Sequence, residues 1–173
     1  MLQGLTIEQF LEELAARKAT PGGGSAAALS GALSAGLVAM AAEFSTNKDI
    51  SREARGLMNV LTGLVDKDAQ AFAGGDLREA AQVPLHTARY SHRVLELAEA
   101  LLESCNPNLI TDIGVAARMA EAAIEGALLN VKVNLISIND EAYQKEMSAT
   151  AEELCSAGHL ADAIVGKVQA RLQ

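Results

Sequence analysis

The sequence has no tryptophan, only 3% aromatic residues, three prolines and two cysteines among its 173 residues. Two cysteines without a CxxC spacing are too few for a disulfide framework, and they favour a reduced, cytoplasmic setting. Basic residues are also scarce, since 14 Lys and Arg stand against 22 Asp and Glu and give a net charge of −8. A nucleic-acid binder needs a basic face to neutralise phosphates, so this charge argues against that class and leaves small ligands open.

Alanine is what the sequence has in abundance. It accounts for 33 of the 173 residues, and half of all residues are hydrophobic. Alanine is the best helix former and is depleted in strands, so an all-β sandwich or barrel is disfavoured. The expected fold is an all-α bundle of about six helices in one domain, residues 1–173.

One uncharged run, from Ala19 to Met40, is long enough to span a bilayer. It consists mainly of Ala, Gly and Ser, which supply little transfer free energy. We therefore expect a buried helix at the centre of a soluble protein or at a subunit contact, and no membrane partner. A membrane-associated helical protein stays as the alternative, which solubility without detergent would remove.

Hydrophobic periodicity and turn residues set the helix boundaries. Ser25 is expected to cap the second helix, and Pro84 to kink or break the fourth. Residues 131–138 alternate in part, but we favour continued helix because no partner strand exists elsewhere. Gly158 and Gly166 are the weak points of the last helix. The predicted helices span 7–17, 25–44, 51–73, 76–104, 111–138 and 140–172.

The run Gly22-Gly23-Gly24-Ser25 is the strongest local signal. Glycines let the backbone approach a ligand closely, and the free N–H groups of the helix that follows can hold a carboxylate or phosphate. The run is neither a Walker loop nor a GxGxxG motif. A tight turn between two helices is the alternative interpretation.

Asp68 falls on the apolar stripe of the third helix, with Leu61, Leu64 and Phe72. An aspartate seldom lies on such a stripe unless it is paired or functional. Burial would raise its pKa and suit it to proton transfer, whereas a neighbouring cation would lower the pKa. A structural partner of a helix end is the alternative. Asp66, two residues earlier, is expected to be solvated.

Asn130 and Asn134 lie one turn apart on a small, polar stripe of the fifth helix. Their amides can bind both donors and acceptors of a ligand, or they can form interhelical hydrogen bonds. Asp112, at the start of the same helix, suits the helix dipole. His86 and His92 have no metal-ligand spacing, so no metal site is expected.

Several blocks of sequence, in a fixed order from about residue 7 to residue 143, carry a resemblance that no single block would support. They are 21–33 (PGGGSAAALSGAL), 66–72 (DKDAQAF), 83–85 (VPL), 106–108 (NPN) with 111–112 (TD), and 130–135 (NVKVNL). Together they resemble the formiminotetrahydrofolate cyclodeaminase and methenyltetrahydrofolate cyclohydrolase family.

The resemblance implies an all-helical homodimer with a folate site in a groove. Cyclodeaminases close 5-formimino-tetrahydrofolate to 5,10-methenyl-tetrahydrofolate and release ammonia, whereas cyclohydrolases hydrate the methenyl form to 10-formyl-tetrahydrofolate. Neither reaction needs a metal or redox cofactor. A carboxylate such as Asp68 or Asp112 would stabilise the cationic one-carbon bridge and move protons. The helix start at 22–25 or Lys132 would hold the anionic glutamate tail. The expected ligand-binding residues are Pro21, Gly22, Gly23, Gly24, Ser25, Lys48, Asn130, Lys132 and Asn134.

Two departures from the family pattern bear on activity. Lys48 matches a basic stretch after the second helix, but Asp49 and Ser51 replace a basic and an aromatic residue. The segment 73–83 is also shorter than its counterpart in relatives, which would remove a wall of the groove. A catalytically silent folate-binding or helical interaction protein of the same fold is therefore the competing prediction.

Overall fold

The computed structural model describes all 173 residues, in seven α-helices and three short 3₁₀ turns without a strand. This confirms the predicted all-α class. Buried side chains from all seven helices form one hydrophobic core of 42 residues. The helices are α1 (Ile7–Ala15), α2 (Gly23–Phe44), α3 (Lys48–Gly74), α4 (Leu77–Leu101), α5 (Ile110–Ile136), α6 (Glu141–Leu154) and α7 (Ala157–Ala170).

Helix α2 lies at the centre, in contact with α3, α4 and α5. Its alanines let the neighbouring backbones come close, and Ala28 and Ala35 have no exposed surface. It is the one helix long and apolar enough to cross a membrane, yet 61% of its most apolar window is buried inside the protein. The burial of α2 fits the central core helix predicted from its small residues.

A glycine sets one of the closest helix contacts. A Cβ placed on Gly31 of α2 would overlap Ser91 Oγ of α4 and lie 3.3 Å from Leu61 Cδ2 of α3. Ser91 is fully buried, and its hydroxyl has no hydrogen-bond partner. Gly31 therefore serves helix packing, because only a residue without a side chain fits between these neighbours.

Several predicted boundaries were wrong, and two of the differences have a clear cause. The third helix begins at Lys48 and not at residue 51, because the Asn47 side chain accepts a hydrogen bond from Ile50 N at 3.2 Å and caps it. The single last helix is in fact two, with a break at Cys155 and Ser156. The break lets α7 return along α5, where Val168 packs 3.4 Å from the position of a Cβ on Gly114.

The break expected at Pro84 is also absent, since α4 continues through it. Proline has no N–H to donate to the carbonyl four residues earlier, which belongs to Ala80. Asn134 Nδ2 of α5 donates to that Ala80 oxygen instead, at 2.6 Å. A side chain distant in sequence thus replaces the missing helical hydrogen bond.

Candidate active site

A cavity of about 280 Å³ lies where the start of α2, the end of α3 and the second half of α5 meet. The structure brings the glycine turn, Asp68 and both predicted asparagines into this one cavity. Its lining residues are Ala19, Thr20, Gly22, Gly23, Gly24, Asp68, Phe72, Ala80, Asn130, Val133 and Asn134.

Asp68 packs directly against the first turn of α2. A Cβ on Gly24 would overlap Asp68 Oδ1 and lie 2.6 Å from its Cγ. Ser25 Oγ donates a hydrogen bond to Asp68 Oδ2 at 2.8 Å. Gly24 is therefore required for the approach of the carboxyl group, and Ser25 orients that group once it is there.

Burial raises the pKa of the half-buried Asp68 above its ordinary value. Hydrogen bonds from the Ser25 hydroxyl and backbone stabilise the carboxylate and oppose this rise. No basic side chain lines the cavity. A carboxyl group in such surroundings exchanges a proton more readily near neutral pH than an exposed aspartate does.

The capping role predicted for Ser25 was wrong. The residue before α2 is Gly22, in extended conformation, and it has no side chain with which to cap the helix. The Ser25 hydroxyl is directed at Asp68 instead, because Asp68 approaches from α3, which sequence spacing within α2 does not reveal. The start of α2 thus presents backbone N–H groups beside the cavity.

The two asparagines are held by their amide nitrogens. Asn130 Nδ2 donates to Gly126 O at 2.9 Å, and Asn134 Nδ2 donates to Ala80 O at 2.6 Å. A carbonyl oxygen accepts only from the NH₂ end of an amide, so both orientations are fixed. Each amide oxygen accordingly remains as a hydrogen-bond acceptor for a ligand.

Other predicted residues lie elsewhere in the chain's fold. Lys132 lines a different groove, against Leu154 and Cys155. Asp112 is 18 residues from Asn130 on α5, which corresponds to about 27 Å. Lys48 precedes Asp68 by 20 residues on α3, or about 30 Å.

Pro21 is buried and is not among the residues that line the cavity, although Gly22 beside it is. Because of the helix distances given above, the catalytic candidate Asp112 and the ligand-binding candidate Lys48 are not brought to Asp68 within a single chain.

The expected solvation of Asp66 was wrong. Its residue is 6% exposed, and the carboxylate accepts from the backbone N–H groups of Leu2 and Gln3. The N-terminal 3₁₀ turn covers it, and helix periodicity cannot reveal such a partner. In contrast, Phe72 was predicted to lie on the apolar stripe but is 64% exposed, and it lines the cavity. Val133 also lines the cavity, although the sequence did not predict it as a site residue.

Comparison with known proteins agrees with this fold. A sequence model of the formiminotransferase-cyclodeaminase family matches residues 6–75 and 74–153. These two blocks meet at the turn between α3 and α4, within the segment that the sequence predicts to be shortened.

Methenyltetrahydrofolate cyclohydrolase from Methylorubrum extorquens is 34% identical over 202 residues, covering 96% of this chain and 97% of the relative. Formimidoyltransferase-cyclodeaminase from Rattus norvegicus is 28% identical over 96% of this chain and 37% of that protein, so the chain spans about a third of it.

The crystal structure of formiminotetrahydrofolate cyclodeaminase from Thermotoga maritima superposes with a TM-score of 0.87 and 28% identity, covering 99% of this chain and 98% of that one. The fold is thus that of a cyclodeaminase. The chain belongs to the formiminotransferase-cyclodeaminase family, which confirms the resemblance that the sequence blocks indicate.

Proposed function

We propose that the chain catalyses one-carbon chemistry on tetrahydrofolate. It would hydrolyse 5,10-methenyl-tetrahydrofolate to 10-formyl-tetrahydrofolate, or close 5-formimino-tetrahydrofolate to the methenyl form. The observation that carries the proposal is the half-buried Asp68 carboxyl in one cavity with the glycine turn and two asparagines. Family membership and the names of the relatives support the substrate class.

In hydrolysis, Asp68 acts first as a base. The carboxylate takes a proton from the water that adds to the methenyl carbon, which neutralises the cation and forms a carbinolamine. The bond from carbon to N5 then breaks, N5 receives the proton from Asp68, and the carbinolamine hydroxyl loses its own proton to form the formyl group. One proton is released overall, and proton transfer of this kind contributes roughly 10²–10⁴-fold.

In deamination, Asp68 carries a proton between two nitrogens of the substrate. N10 attacks the protonated formimino carbon and loses its proton to the carboxylate. Asp68 then gives that proton to the amino group, which leaves as ammonia while the methenyl cation forms. The negative carboxylate also stabilises this cation electrostatically.

Both reactions leave the oxidation state of the one-carbon unit unchanged. They therefore need no redox cofactor, and we propose that the chain also uses no metal and that the folate itself is the substrate. Asn130 and Asn134 are proposed to bind it through their free amide oxygens, and the start of α2 through the N–H groups that precede Ser25.

A direct assay tests the proposal. Purified protein is incubated with 5,10-methenyl-tetrahydrofolate while the loss of its absorbance is followed, and with 5-formimino-tetrahydrofolate while the same absorbance appears. We expect hydrolysis first, because the relative at 34% identity is a cyclohydrolase matched over 97% of its length. Turnover of neither compound beyond the buffer rate would contradict the enzyme, and folate binding without turnover would support the silent binder of the same fold.

We further propose a homodimer located in the cytoplasm. Support comes from apolar side chains left uncovered on the central helices, where Leu33 of α2 is 51% and Val115 of α5 is 52% exposed. A second copy is also the one source of Asp112 and Lys48 for the cavity, since neither reaches it within its own chain. Sedimentation equilibrium measures the oligomeric state.

Mixing two inactive variants tests a shared site. If each site takes Asp68 from one subunit and Asp112 from the other, Asp68→Asn mixed with Asp112→Asn restores about a quarter of the activity. This follows because random mixing makes half of the dimers mixed, and each mixed dimer has one intact site of two. No recovery from two inactive variants that exchange subunits would remove Asp112 from the site.

A further inference from the structure

Two apolar side chains line the cavity and are more than half exposed in the single chain. Phe72 is 64% exposed and Val133 is 58% exposed, and both line the cavity. Phe72 follows Asp68 by one helical turn on α3, and Val133 lies between Asn130 and Asn134 on α5. An exposed aromatic side chain beside a cavity marks a surface that is covered when a ligand binds.

The remaining lining groups are polar. The Asp68 carboxyl accepts from Ser25, and the amide oxygens of Asn130 and Asn134 are available as acceptors because their amide nitrogens donate to Gly126 O and Ala80 O. The start of α2 offers N–H donors. The cavity therefore has a hydrogen-bonding interior and an apolar rim. A ligand that fits it has a polar, planar head with N–H donors, a reacting group near Asp68, and a second, less polar ring.

The folate of the proposed function has this order of groups, and the inference rests on that function. Its pterin ring carries N–H donors and a carbonyl oxygen, its one-carbon bridge joins N5 to N10, and its aminobenzoyl ring follows. We infer that Phe72 and Val133 seat the aminobenzoyl ring, while Asn130 and Asn134 accept from the pterin edge. The bridge then lies at Asp68, between the two rings.

This orientation sends the glutamate tail past the end of α3. The chain turns there at Gly74 and Gly75, and no neighbouring atom lies within 4 Å of where their Cβ atoms would be. Within one chain, the path of the tail past this turn is therefore open. Such an exit agrees with the position of Lys132 in a separate groove.

Because the protein has no tryptophan, a single introduced one reports on this seat alone. Phe72→Trp is titrated with p-aminobenzoyl-glutamate and, separately, with pterin-6-carboxylate. We expect saturable quenching of the tryptophan by p-aminobenzoyl-glutamate on its own, because the ring seat requires that this fragment binds beside residue 72. Ile7→Trp, at an 83% exposed position outside the cavity, is the matched control for absorption by the ligand.

Kinetics give the second measurement. Phe72→Ala is expected to raise KM about tenfold while kcat stays within about threefold, because stacking binds substrate and transition state alike. Phe72→Tyr is expected to restore KM, since it keeps the ring. A normal KM in Phe72→Ala, or a response of the tryptophan to the pterin alone, would overturn the inference.

Failure of the proposed function has a different signature. If wild-type protein lacks turnover but Phe72→Trp still binds p-aminobenzoyl-glutamate, the inference about the ring is supported and the protein is a silent folate binder. If wild-type protein turns over while Phe72→Trp does not respond to p-aminobenzoyl-glutamate, the enzyme stands and the ring seat is wrong.

Discussion

Helix α2 admits a polar side chain from a neighbouring helix at two glycines that lie two turns apart. At Gly24 the contacting side chain is Asp68 of α3, and at Gly31 it is Ser91 of α4. The two contacts have the same cause, since a Cβ on either glycine would overlap the polar side chain that packs against it. They differ in what surrounds the polar group.

Asp68 opens onto a cavity and receives a hydrogen bond from Ser25, whereas Ser91 is fully buried with an unpartnered hydroxyl. A polar group that is held on one side and open on the other can react with a ligand. A polar group enclosed without a partner only lowers stability. Of these two glycine contacts, only the one whose polar side chain has both a hydrogen bond and access to a cavity indicates a functional site.

The largest effect is expected from Asp68→Asn, which keeps the shape of the side chain and removes proton transfer. Turnover of the methenyl substrate should fall by about 10²–10⁴-fold. Rates measured by absorbance with saturating substrate test this, and circular dichroism verifies the fold. Asp66→Asn, two residues away and covered by the N-terminal turn, is the comparison, and an equal loss of turnover there would show that the effect at Asp68 is structural.

The same variant should be more stable than wild type at neutral pH. Burial raises the pKa of Asp68, so its ionised form is disfavoured in the folded state. This cost is present above the folded pKa and absent below the ordinary value of 3.8, so native stability falls as pH rises between them. Thermal melts should show a higher Tm for Asp68→Asn near pH 7 and a shrinking difference toward acid pH. A constant difference across pH would contradict the assignment.

A smaller loss of activity is expected from Gly24→Ala, because the new methyl group displaces the Asp68 carboxyl from Ser25. A displacement of about 1 Å can cost on the order of 10²-fold in rate. Gly36→Ala on the same helix is the matched control, since its Cβ would lie 3.6 Å from Met58 Sδ, an ordinary contact distance. If both variants lose activity alike, a general change in α2 explains the loss and not the contact with Asp68.

The smallest effects belong to the packing contact and concern stability alone. Gly31→Ala should destabilise the fold by about 1–3 kcal/mol through overpacking. Ser91→Ala should stabilise it by about 1 kcal/mol, because it removes a buried hydroxyl without a partner. Urea unfolding of the double variant should show partial rescue of Gly31→Ala. Strict additivity of the two changes would mean that the two residues do not interact.

The sequence predicts which residues form this site better than it predicts their hydrogen-bond partners. The glycine run marks the close approach, and the stripe position of Asp68 marks a carboxyl group out of place among apolar residues. Both follow from local spacing along one helix. The asparagines one turn apart follow from the same kind of pattern.

Contacts between distant segments escape such reasoning. Asp66 was expected in solvent, but the backbone of Leu2 and Gln3 covers it. Pro84 was expected to kink or break α4, but the helix continues through it and Asn134 supplies the hydrogen bond that the proline lacks. In each case the deciding hydrogen bond joins residues more than 50 positions apart in sequence.

The unfinished first turn of α2 links occupancy of the cavity to the melting of the whole molecule. The helix has no side-chain cap at Gly22, and it runs through the middle of the core. Asp68 accepts from the Ser25 N–H, and a ligand oxygen that accepts from the N–H groups before Ser25 would complete the turn. Mass action then adds about 2.7 kcal/mol to the free energy of unfolding at a ligand concentration 100 times Kd. A thermal-shift survey of folates at several oxidation and substitution states would rank them by affinity, even for those that the protein does not convert.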